Sequence, residues 1–308
     1  QIAGLGGLQV KQLSTANIQA MTSDQVKALS VAALQSLSST QVAALDTVDV
    51  AQLSTGQIRS LSNAGLSGLT TSQVNNMGTQ QVAALSADQL KVLSSNQLVA
   101  LSTAQAAALT STQMAGLAPT QIAAMQTEDV AALTNGAIGA MSAAQVQGLT
   151  TAQVAGLSTT QAAGLGATQV GALTSAQLKA METADLAKLT TSALQALSNN
   201  ALAGLTTSQV ANMGTAQVAA LTDVQIKQLS TANIQALSSD QAKALTQVQL
   251  GALTSAQAAA MDADVLSTLS SGQIRNRGKA ALSGLTTEQI DGLGTEQVVA
   301  LTADQHKA

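Results

Sequence analysis

Apolar residues recur along this chain at a fixed step of eight. Leu5, Leu13, Met21, Leu29, Leu37 and Leu45 open the series, which runs without insertion to Leu301 and divides the chain into 38 octads. The first position holds Leu in 30 octads, Met in seven and Arg once, at Arg277. The sixth position carries Val, Ile, Leu, Met or Ala in all but the last, where His306 stands. A well-formed unit is Leu149-Thr150-Thr151-Ala152-Gln153-Val154-Ala155-Gly156.

Between the two apolar positions lies a helix start. The second position is Ser or Thr in 27 octads, residues whose hydroxyl accepts a hydrogen bond from an amide of the first helical turn. Gln follows three residues later in 26 octads, which completes a capping box: its side chain reaches back to the cap amide. The apolar residues at positions one and six then flank the cap as a hydrophobic staple. A start in every octad requires a stop in every octad, so each unit is a helix of about six residues. Helices this short do not persist alone in water, so each needs the apolar faces of its neighbours. Acidic and basic residues are placed accordingly, with Asp24, Asp88, Asp240 and Asp304 early in their octads and Lys27, Lys91, Lys243 and Lys307 three residues on.

The pattern excludes one long helix, because eight residues at 100° each leave an 80° drift per octad and smear the apolar positions around the surface. A β-solenoid accommodates regular repeats, but Ala, Gln and Lys are poor strand residues and the caps would have no purpose. The expected fold is an all-α solenoid or superhelix of very short helices, one per octad. The eighth position is Ala or Gly in 27 octads, which places the backbone there close against another coil. Acidic or polar octads begin at Leu45, Met125, Met181 and Met261, at spacings of ten, seven and ten octads. A gain or loss of three octads keeps later repeats facing the same way if three octads make about one turn, and that is the expected pitch. We expect residues 1–308 to form one continuous solenoid cut from a longer array, because no polar capping repeat marks either end.

Composition narrows the function. The chain is 46% hydrophobic yet has no Phe, Tyr, Trp or Cys, one Pro and a net charge of −4. An interior built only from aliphatic side chains suits a thin core repeated many times. Charge spread this thinly argues against nucleic acid as a partner, and no apolar run is long enough to span a membrane. His306 has no second His or Cys with which to bind zinc. The carboxylate pairs Asp46/Asp49 and Glu182/Asp185 are too few for a calcium cage and read as substituted capping boxes. Arg277, flanked by Arg275 and Lys279, reads as a tolerated defect of a redundant array, with a local contact patch as the alternative. No catalytic, cofactor-binding or metal-ligating residue is expected, and no cofactor.

The run Leu149 to Leu157, with similar octads throughout, resembles the octapeptide-repeat regions of large bacterial secreted surface exoproteins and adhesins, often labelled haem-utilisation or adhesion exoproteins. That resemblance implies secretion, an extracellular or cell-surface location and a stalk or fibre; for haem itself the chain offers no pair of axial ligands. The expectation is a non-enzymatic structural protein, a filament or adhesin stalk, whose partners are further copies end to end or flanking repeats of its own chain. The alternative is a solenoid that binds a peptide, a glycan or a surface.

Overall fold

The computed structural model describes residues 2–275, 279–303 and 305. Among them are a short 3₁₀ turn at Ile2–Gly4 and 37 α-helices, each of four to six residues, with no strand. The residues form two compact units, Gln1–Gly156 and Leu157–Ala308.

Each octad begins as its sequence dictates. Thr110, at φ −83° and ψ 160°, is extended and caps the helix Ser111–Gly116, and its Oγ1 accepts the Gln113 amide at 3.2 Å. Gln113 Oε1 in turn accepts the Thr110 amide at 2.8 Å. The helix stops without a left-handed residue: no described residue, glycine included, has a positive φ. Leu117 simply turns extended (φ −70°, ψ 146°) and leads into the next cap, Ala118. Two extended residues thus separate this helix from the next, Pro119–Ala124, and the single proline, Pro119, sits at the first helical position, where it has no hydrogen bond to break. Asp24 and Lys27 lie in the first and last turns of Ser23–Lys27, as do Asp88 with Lys91 and Asp240 with Lys243 in their helices. Asp304 and Lys307 lie outside the described residues, as do Arg277 and His306.

Coils close every third octad. In the first unit Ala87–Lys91 packs on Ser111–Gly116, and Thr103–Ala107 on Thr127–Ala132. In the second, Ser175–Ala180 packs on Asn199–Leu202, and Thr215–Ala220 on Ser239–Ala244. The expected pitch of about three octads therefore holds within each unit. Positions one and six fill the interior: Leu109, Met114, Leu117 and Ile122 are all 3% exposed or less. Ile122→Ala is expected to lose about 2–5 kcal/mol of stability in chemical denaturation. Leu8→Ala, at a side chain 83% exposed, should change it by less than about 0.5 kcal/mol.

Small residues at position eight admit close backbone contact. A methyl group built on Gly68 would lie 2.1 Å from the Ser39 carbonyl oxygen, and one on Gly284 would lie 2.4 Å from that of Ser255. Both partners stand at the third position three octads earlier. The small eighth residue is a matter of space, not of backbone conformation.

Candidate functional site: a glutamine slot between coils

A helix of five residues is nearly all ends. Four amides at its start and four carbonyls at its finish lack partners within the helix, so an array of such helices must satisfy them elsewhere. The fifth-position Gln does so in both directions. Gln113 Oε1 takes the cap amide of its own helix, while Gln113 Nε2 donates to the carbonyls of Val82 and Leu85, both at 2.8 Å. Those carbonyls lie 31 and 28 residues back, one at the end of the helix Thr79–Ala84 and the other on the extended residue that comes after it.

The arrangement repeats with little variation. In the first unit Gln73 reaches Val42 and Leu45, Gln105 reaches Val74 and Met77, and Gln145 reaches Met114 and Leu117. In the second, Gln209 reaches Leu178 and Met181, and Gln241 reaches Val210 and Met213. Where the cap is Gly or Ala, the carboxamide still accepts the cap amide, as Gln81 does from Gly78 at 2.7 Å and Gln121 from Ala118 at 2.8 Å. These glutamines are buried: Gln105 is 1% exposed and Gln145 2%. The capping-box reading of the sequence accounted for only half of what this residue does. The signal for the other half was the absence of Glu from the fifth position in all 38 octads, since a cap alone accepts Glu as readily as Gln.

The acidic octads depart from the expected substituted boxes. Asp46 and Asp262 do cap, each accepting the amide two residues on at 2.9 Å. Glu182 and Gln126 make no side-chain cap bond. Gln126 Nε2 donates instead to the Val99 carbonyl of the coil before, at 3.0 Å. Asp49, Asp129 and Asp185 do not reach back to their cap amides either; they stand buried in the glutamine slot, at 5%, 1% and 1% exposure. Asp49 accepts a hydrogen bond from Ser23 Oγ. The second carboxyl oxygens of Asp129 and Asp185 have no partner. Burial raises the pKa of Asp129, with the Thr103 hydroxyl opposing and Glu128 adding a smaller push. Burial, and then the neighbouring Glu182, push that of Asp185 up to about 6.

Elsewhere the surface offers shallow grooves. One of about 350 Å³ is lined by Asp262, Asp264 and Glu288 together with Gln235 and Thr286. Among the described residues no group of three or more His, Cys, Asp or Glu side chains is placed to hold a metal ion, and no helix is long and apolar enough to cross a membrane.

Fold and slot together define a helical repeat protein, in which the typical octad supplies one cap, two core residues and one bridge to the preceding coil. The chain belongs to the ALTTAQ repeat family, whose model matches residues 23–55, 50–87, 82–119, 122–159, 178–215, 202–231, 210–247 and 224–255. No curated protein matches the chain.

Proposed function

We propose that the chain is a non-enzymatic structural array, a segment of an extracellular filament or adhesin stalk that carries load or spans distance through stacked coils. The observation that supports this most is the use made of the side chains. The recurrent chemistry of the octad, namely hydroxyl cap, carboxamide bridge and aliphatic pair, is spent on joining each coil to the one before it. The groove-lining residues contain no nucleophile with an adjacent base, and the grooves lack the aromatic anchors that binding solenoids use. The surface location rests on the resemblance to bacterial exoprotein repeats.

The outermost coils support association with further repeats, either of a second copy or of the same chain. First-position Leu5, Leu13 and Met21 are half-buried, as are Leu285, Leu293 and Leu301, whereas their counterparts inside each unit are buried. Gln9 and Gln25 use their carboxamide oxygens for their own caps. Leu282, Leu285, Ile290, Leu293, Val298 and Leu301 line an apolar hollow of about 230 Å³. A further coil set in the repeat register would bury both faces. Electron microscopy of the purified chain over a range of concentrations tests this reading. Thin extended particles that lengthen with concentration are expected; compact particles of constant size would overturn it.

A further inference from the structure

Two buried carboxyls have no role in the glutamine-bridged stacking. Asp129 and Asp185 occupy slots in which most other octads place an amide donor, and each has one carboxyl oxygen without a partner. The carbonyls 28 residues back, at the place where a Gln amide would donate, belong to Leu101 and Leu157. An ionised carboxylate can only accept, so in this slot it sets oxygen against oxygen. A protonated carboxyl has the same shape as Asn, and Asn233 shows what that shape does here: its Nδ2 donates to the Leu205 carbonyl, also 28 residues back, at 3.2 Å. A side chain one methylene shorter than Gln therefore still bridges the coils, provided it carries a hydrogen to donate.

We propose that Asp129 and Asp185 act as neutral acids in these slots, each donating its carboxyl proton to the coil before it, so that acid tightens the coils and neutral pH loosens them. The surroundings are free of charge that would hold the ionised form. Thr127–Ala132 packs on Thr103–Ala107 and Thr151–Ala155, which carry no charged residue, and its own Glu128 disfavours a second anion. Thr183–Leu186 packs on Thr159–Ala163 and Thr207–Ala211, likewise uncharged, with Glu182 at its cap and the exposed Lys188 beyond its end. The Thr103 hydroxyl opposes the neutral form of Asp129, as Ser23 Oγ does where it donates to Asp49, but at Asp129 burial outweighs it.

Both carboxyls have folded-state pKa values raised above the ordinary 3.8, so their contribution is complete below about pH 4 and is lost as the pH rises through the folded value, about 6 for Asp185. The test compares the full chain with an Asp129→Asn/Asp185→Asn variant by thermal melting between pH 4.5 and 8, with carboxyl-carbon NMR on the parent. The parent's melting temperature should fall relative to the variant's by roughly 2–4 °C over this range, the gap widening from pH 4.5 and levelling off above about pH 6. The Asp185 carboxyl signal of the parent should still report the protonated form at pH 5, and that of Asp129 should titrate above the ordinary carboxylate range. Parallel melting curves, or an Asp185 carboxyl already ionised at pH 5, would overturn the proposal.

Discussion

Gln113→Glu is expected to cost the first unit about 3 kcal/mol at pH 7.5, more than any single truncation in the same slot. One carboxylate oxygen can keep the cap bond to the Thr110 amide, now 2.8 Å long. The other takes the place of an amide nitrogen that donates to Val82 and Leu85, and so faces two carbonyl oxygens in a site 2% exposed. Two bonds are lost and a charge is buried against acceptors, and each effect carries its own penalty. Gln113→Ala removes the same donors without adding charge, and Ala already occupies the slot at Ala137, Ala193 and Ala201; about 1–2 kcal/mol is expected. Acidification to pH 5 should restore part of the Glu variant's stability and none of the Ala variant's, since a buried carboxyl regains a proton and with it a donor. Denaturant titrations of the three proteins at both pH values decide the matter. Equal losses for Glu and Ala would mean that a charge buried against the Val82 and Leu85 carbonyls carries no penalty of its own.

Gly204→Ala should cost the second unit about 3 kcal/mol, at the upper end of what overpacking does. A methyl group there would lie 2.1 Å from the Ser175 carbonyl oxygen and 2.7 Å from its carbon. The obstacle is backbone and cannot swing aside as a flexible side chain would. Gly204 also donates its amide to the Ala201 carbonyl at 2.8 Å, which leaves the helix end little room to move. Gly272→Ala, in the helix Ser271–Arg275, is the paired control. Its nearest atoms would be 3.9 Å away, and removing a helical glycine should raise stability by about 0.5–1 kcal/mol. Opposite signs for two glycine-to-alanine changes in one unit would establish that position eight is set by space. Matching effects would mean that coil-to-coil approach at Gly204 has no bearing on stability.

The carboxyls in the slot give the repeat a way to respond to its surroundings. A uniform stack of glutamine bridges is indifferent to pH, because carboxamides do not titrate. Placing Asp129 in the first unit and Asp185 in the second introduces acid-sensitive joints without altering the core, since the apolar residues beside them, Val130 and Leu186, remain fully buried.

Much of this protein was legible in its sequence, and for one reason: capping is local. Whether Thr110 and Gln113 satisfy each other depends on three residues of separation, so the pattern Leu-Thr-x-x-Gln-Met reads directly as a helix start with its staple. The octad length, the helical class, the aliphatic interior and the small eighth residue all come from spacing alone. The ten-and-seven octad spacing of the acidic units pointed to three octads per coil, because only whole turns can be gained or lost without rotating every later octad. What the sequence could not supply was the partners of the glutamine amide. Val82 and Leu85 stand 31 and 28 residues from Gln113, and nothing local places their carbonyls before its amide. Nor could spacing tell which glycines face a carbonyl or that Asp129 and Asp185 are buried and not exposed helix-start residues. Those facts depend on the rise and offset of one coil over the next, and only the packed tertiary structure sets them.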